Sequence, residues 1–273
     1  MNLVLVLSSS ALVSALVSAA ATFFTQDRLA RRKARIDYEN HAHLRLYEAI
    51  GPLRFQLLLA ARDAASRIAD HPGHDWEMDP AAYYGHSFLY RLLRPLTITH
   101  LIERQLGVAD FSVDRAAIDL IRFGIELPRA LSGGAITLGH PDVDWSTQRL
   151  HLFRGTIDAA ADRLIVEEAG ARARPMTYPE FTAAVGDPGA DPALQPIAAL
   201  FSGCRLSLTE SPLWWLRVVA FGYACHVFVT RHGPALGVQP REFPVRRLLE
   251  AAPDPVIQER INRYLEVLRE RFG

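Results

Sequence analysis

Apolar residues open the chain as Leu3-Val4-Leu5-Val6-Leu7 and recur until Phe23-Phe24, so that Asn2 to Thr25 contains no charge, glycine or proline. A bilayer core about 30 Å thick takes about 20 helical residues to cross, and this stretch supplies them. Ser8, Ser9, Ser10, Ser14, Ser18 and Thr22 place hydroxyls within it. At about 100° per residue, Ser10, Ser14, Ser18 and Thr22 fall on one half of the helix surface together with Ala11, Ala15 and Ala19. Leu5, Leu12, Leu16 and Phe23 cover the other half. Membrane helices approach one another through small-xxx-small faces, so the pattern predicts a transmembrane helix over residues 1–25 that packs against other spans.

Beyond Thr25 the polarity reverses. Arg28, Arg31, Arg32, Lys33 and Arg35 form a basic flank, which the positive-inside rule keeps in the cytoplasm, leaving the N-terminus outside. Ala19-Ala20-Ala21 has the look of a signal-peptide cleavage site, but only Met1-Asn2 precede the apolar run and no basic n-region exists. An uncleaved anchor is the better reading. With no glycine or proline before Gly51-Pro52, the span is expected to continue as a juxtamembrane stalk helix over residues 26–50. Gly51-Pro52 is then expected to break or kink it.

The remainder, residues 51–273, alternates helical periods with Gly/Pro punctuation and predicts an all-α cytoplasmic domain. Leu53–Asp70 reads as amphipathic, with Phe55, Leu58, Leu59 and Ile68 on its apolar side. Further helices are expected at 81–106 with Pro95 inside, at 115–131 after a cap at Ser112-Val113-Asp114, and at 150–169 ending at Gly170. Thr177-Tyr178-Pro179-Glu180 carries a capping-box pattern. A short helix to Phe201, a long apolar one at 212–230, and helices at 245–251 and 255–272 complete the series. The 212–230 stretch is apolar enough to be a second span. It holds Arg217 and His226, however, and crossing there would leave Arg231, Arg241, Arg246 and Arg247 outside, so it reads as a buried core helix.

Composition removes several chemistries. Formal net charge is zero and Lys33 is the only lysine, so a Walker A lysine or a Schiff-base lysine is excluded beyond the stalk. Cys204 and Cys225 sit in apolar surroundings without ligand spacing and read as reduced core residues. His71, His74, Asp75, Glu77 and Asp79 gather potential ligands in one loop, and His140, Asp142 and Asp144 in another. Neither loop alone completes a coordination shell, so no metal and no cofactor is expected. His41 and His43 face different directions on a helix. No Gly-x-Ser-x-Gly motif is present, and no catalytic residue is assigned. The pairs Arg172/Arg174 and Arg246/Arg247 are candidate anion ligands beside their plainer reading as solvated faces.

Four stretches carry a resemblance: 31–39 (RRKARIDYE), 47–53 (YEAIGPL), 88–96 (FLYRLLRPL) and 176–181 (MTYPEF). Together they resemble uncharacterised bacterial single-span membrane proteins with a helical cytoplasmic domain. The layout is similar to that of anti-phage membrane effectors, the Hailong system's among them. That resemblance implies a multimeric channel held closed by a nucleic-acid product of a partner nucleotidyltransferase, and it brings no catalytic residues. The expectation is therefore a homo-oligomeric inner-membrane effector, a ligand-gated ion channel or pore. Ser10, Ser14, Ser18 and Thr22 would line it, Leu7 would form a hydrophobic gate, and a nucleotide or oligonucleotide would be its regulatory ligand. A non-conducting membrane-tethered scaffold or sensor is the alternative. A membrane-anchored hydrolase using the two histidine loops is a third.

Overall fold

The computed structural model describes residues 2–71, 78–107, 109–136, 141, 143–148, 150–202, 212–249 and 255–272. The side chains of 2–17, 19–21 and 212 lie outside that description. The chain is mainly helical. Its first element, α1 (Asn2–Asp70), is a single helix of 69 residues, about 100 Å long at 1.5 Å per residue. Phe23, Phe24, Leu29 and Ile36 stand exposed along it. Burial then begins at Ala42 and follows one stripe, Leu46, Ile50, Leu53, Leu57, Ala61, Ala64 and Ile68. Steps of three and four residues keep that stripe on one face. Phe55, expected on the apolar side, falls between its members and is 45% exposed.

The body packs α1 against α2 (Tyr83–Arg104) and α7 (Pro212–His232), with α3 (Arg115–Ser132), α4 (Arg154–Arg163), α5 (Tyr178–Val185), α6 (Gln195–Phe201), α8 (Val245–Leu249) and α9 (Pro255–Phe272) around them. The centre is α7, which contacts α1, α3 and α9. Leu216, Val218, Val219, Ala220, Phe221, Ala224 and Phe228 are all fully buried on it, the all-round apolarity of a core helix. Leu213–His232 has the length and mean hydropathy (1.3) of a membrane span, but 83% of it is buried inside the body. Phe228 stacks on Phe123 of α3 at 4.1 Å, and Phe272 of α9 meets the same ring edge-on. Gly222 lets α1 and α7 close up, since a Cβ there would stand 3.0 Å from Ile68 Cδ1 and the Phe243 ring.

Arg217 is the exception inside this core, being fully buried. Its guanidinium donates to the carbonyls of Gly133 (2.7 Å), Leu150 (3.0 Å) and Ala130 (3.3 Å). Two of these lie at the C-terminal end of α3, where the last carbonyls lack intrahelical donors and the helix dipole favours a cation. Burial nevertheless lowers its pKa to about 10.

Two expectations are corrected. Gly51-Pro52 does not end α1, because the body's core takes up both flanking turns and a side chain repairs the proline's defect. Nor does a helix fill 150–169. α4 stops at Arg163, and β1 (Ile165–Val166) pairs antiparallel with β2 (Arg174–Pro175), Ile165 opposite Pro175 and Val166 opposite Arg174. Gly170, at a φ of 78°, takes the left-handed conformation in the connecting turn. The expected cap at Asp114 is present, its carboxylate accepting from Ala116 N–H at 2.7 Å. Thr177 and Glu180 close a full capping box on α5.

Candidate functional site

Proline has no N–H, so at Pro52 the helix cannot complete its bond to the carbonyl four residues back, that of Glu48. Arg172, on the turn between β1 and β2, donates its Nη1–H to that same Glu48 carbonyl. Around this repaired joint a cavity of about 440 Å3 opens between α1, α2 and the hairpin, within the usual range for small-molecule sites. α1 contributes Arg45, Pro52 and Gln56, α2 contributes Leu101 and its C-cap residue Gln105, and the hairpin contributes Arg172 and Arg174.

Charge fixes the hairpin to α5 and, through Arg104 of α2 and Glu167 at 2.6 Å, to α2. Arg174 bonds Glu180 through both terminal nitrogens at 2.8 Å and Glu168 at 2.8 Å. Glu180 also accepts from Thr177 N–H at 2.8 Å. These contacts, that with Arg174 first, hold the Glu180 carboxyl down to about 2 and raise Arg174 above its ordinary value. Arg174 is therefore balanced by its own acids. Among the described residues Arg45 makes no hydrogen bond or ion pair and stays exposed. Gln56 Oε1 is shielded from water with no donor to meet it, a state that costs about 1–3 kcal/mol unless something fills the gap. With Glu48 the only carboxylate on the wall among the described residues, the cavity suits a ligand that offers an anionic group to Arg45 and Arg172 and a donor to Gln56.

The structure thus brings Arg172 and Arg174 together at one cavity, though Arg174 serves the hairpin first. Arg246 and Arg247 are exposed on α8 and do not line it. Arg28, Arg31, Arg32, Lys33 and Arg35 are all exposed on α1, with Arg31 paired to Asp27 at 2.9 Å and Arg35 to Glu39 at 2.8 Å. Ser18 and Thr22 are exposed, and the Thr22 hydroxyl donates back to the Ser18 carbonyl at 2.8 Å. The side chains of Leu7, Ser10, Ser14, Ala11, Ala15 and Ala19 lie outside the described residues. His71 stands at the end of α1 in an aromatic nest of Tyr84, Phe88 and Trp215, bonded to Tyr84 Oη at 2.8 Å. Asp79 accepts from Ala81 N–H in a turn. His74, Asp75, Glu77, His140, Asp142 and Cys204 lie outside the described residues. Among the described ones no group of three His, Cys, Asp or Glu gathers.

Arg45, Gln56 and Gln105 were not singled out from sequence. They come from two helices and face a hairpin more than a hundred residues from Gln56, with no motif linking them. Arg172 and Arg174 carry the legible signal of this site, and Gly51-Pro52 marks the irregularity in α1 beside it. Compared with known proteins, the chain matches no family model, no curated protein and no solved structure.

Proposed function

We propose that the chain is a homo-oligomeric inner-membrane effector, related in layout to Hailong-type anti-phage effectors, whose helical body binds a ligand and gates a small pore. The observation that supports this reading is the continuity of α1. One helix runs without a break from the uncharged apolar stretch, past the basic flank, into the core and along the wall of the cavity. A ligand between Arg45, Gln56 and Arg172 touches the same rod that would cross the bilayer. The exposed rings of Phe23 and Phe24 add to it, since covering each with lipid or a neighbouring helix is worth about 1.5–3 kcal/mol. Tyr38 and Tyr47 donate to Asp110 and Asp114 at 2.7 and 3.1 Å, so the lower stalk is latched to the body by two exposed bonds that any swing of the stalk at Pro52 must release.

In this mechanism the small face of the span lines the assembly, with Ser10, Ser14, Ser18 and Thr22 toward the axis and Leu7 as the gate, closing by dewetting. Arg28 to Arg35 ring the inner mouth and raise the local anion concentration. The experiment is membrane potential in cells or vesicles carrying the full chain, with topology fixed by a reporter fused after Gly273. Leu7→Ser is expected to leak, Ser14→Leu or Ala15→Leu to disrupt assembly in native mass measurements, and the fusion to be cytoplasmic. A periplasmic fusion overturns the topology, and an intact oligomer silent even as Leu7→Ser replaces the channel with a scaffold.

A further inference from the structure

A second cavity, of about 140 Å3, lies further along the α1–α2 interface and is lined also by Tyr178 of α5. One face of α2 builds most of it. Tyr83, Ser87, Tyr90, Arg91 and Arg94 recur at the three- and four-residue spacing that stacks side chains on one side of a helix. Ala60 and Asp63 of α1 form the opposite wall.

The charge of this cavity is unbalanced. Among the described residues neither Arg91 nor Arg94 bonds any acceptor, and the Nε of Arg94 is shielded from water with nothing to receive its hydrogen. The only acid on the wall among the described residues, Asp63, is already held by Arg62 at 3.0 Å. Two guanidinium groups one helical turn apart match a phosphate, whose three terminal oxygens can take a forked pair of N–H bonds from each, whereas a carboxylate has only two oxygens to share between them. The volume holds a phosphate group and little more, since each water occupies about 30 Å3. Beside it the Tyr83 ring, 77% exposed, meets Tyr178 edge-on at 6.5 Å and keeps one face open. Tyr90 donates its hydroxyl to the Met176 carbonyl at 2.9 Å and is spent on structure.

We infer that this cavity binds a soluble phosphomonoester: phosphate on Arg91 and Arg94, with an aromatic group attached to it resting on Tyr83. A lipid headgroup offers the same phosphate, but Ala60 lies 35 residues past Thr25, about 50 Å along α1 from the end of the apolar stretch. A regulatory role for the site rests on the function proposed above; binding itself does not.

Isothermal titration of the purified full-length chain tests it, with inorganic phosphate, glycerol 1-phosphate, phenyl phosphate and phosphatidic acid vesicles as probes. Phenyl phosphate should bind about five-fold more tightly than glycerol 1-phosphate through ring stacking. Arg91→Gln and Arg94→Gln should each weaken phosphate binding about tenfold or more, and Arg246→Gln should not. Tyr83→Ala, at an exposed ring, should erase the preference for phenyl phosphate while leaving inorganic phosphate unchanged, and circular dichroism confirms that each variant is folded. Absence of binding by the folded wild type, or binding indifferent to Arg91 and Arg94, overturns the site. Vesicle capture that Arg91→Gln abolishes, with no response to phenyl phosphate, replaces the soluble ligand by a headgroup. Phenyl phosphate binding in a chain that never conducts leaves the site standing and removes the channel; gated conduction without phosphate binding does the reverse.

Discussion

Replacing Arg217 by methionine tests how the body is held together. Methionine keeps the unbranched apolar stem and deletes the donors to Gly133, Leu150 and Ala130. A hydrogen bond from a charged donor contributes about 1.5–3 kcal/mol, so three give about 4.5–9 kcal/mol before costs. Against this stands desolvation. Burial moves the guanidinium from 12.5 to about 10, which at about 1.4 kcal/mol per tenfold change in acidity is about 3 kcal/mol. The difference is about 1–6 kcal/mol in favour of arginine, with a centre near 3. Lysine keeps the charge but is a single point donor and cannot hold two chain segments together, so Arg217→Lys should lose about half as much. Urea unfolding followed by the fluorescence of Trp214 and Trp215, both beside it on α7, reads the effect. With a slope of about 2–3 kcal/mol per molar, the methionine variant should shift its midpoint down by about 1 M or more. A shift under about 0.2 M, or a lysine variant worse than methionine, would refute the account of Arg217 as a clamp on the end of α3.

Acid should weaken the body before its carboxylates titrate. His86, His151, His226 and His232 all have pKa values lowered mainly by burial, so the unfolded chain takes up more protons near its ordinary value of about 6.5. Stability is then full above that pH and falls as pH drops through it, by about 1.4 kcal/mol per pH unit for each histidine. A urea midpoint unchanged between pH 7.5 and 5.5 (about two units, ample for this slope) would contradict it. Thr177→Ala should cost about 1 kcal/mol by opening the α5 capping box, and Thr177→Ser should recover most of it in the same assay. Gly222→Val should cost about 1–3 kcal/mol by wedging α7 from Ile68 and Phe243, and a neutral result would mean the two helices are not in close contact there.

Much of the fold was legible because helical periodicity and capping are local. Asp114 and Thr177 announce the starts of α3 and α5, and α7 could be read as core from Arg217 and the arginines that follow it. Gly51-Pro52 and the 150–169 stretch misled for one shared reason: local propensity was outvoted by a distant partner. At Pro52 the orphaned carbonyl is met by Arg172, 124 positions from Glu48 in sequence. After Leu164 the β-branched pair Ile165-Val166 finds Arg174-Pro175 across a turn that Gly170 permits. The cavity at the joint was half legible. The sequence offers Arg172 and Arg174 as an anion pair, but only the fold sets them beside Arg45 and Gln56.

The joint at Pro52 also decides whether α1 can transmit anything. Beyond it, residue 25 lies 27 positions away, about 40 Å along the helix, and a bend of about 10° at the joint would displace that point by about 7 Å. That is enough to open or close a ring of helices, whereas a straight uninterrupted rod would need the whole body to rotate. Arg172 sets the stiffness, since it supplies the hydrogen bond that the proline removes, and an anion in the cavity competes for the same guanidinium. Pro52→Ala restores the N–H, lets Glu48 bond within the helix and makes Arg172 redundant there. Arg172→Gln should therefore cost about 1 kcal/mol in the wild-type chain and close to nothing in Pro52→Ala. A double-mutant cycle by urea unfolding measures the coupling, which should be about 1 kcal/mol. Equal costs of Arg172→Gln in both backgrounds would separate the arginine from the proline and leave the joint without its latch.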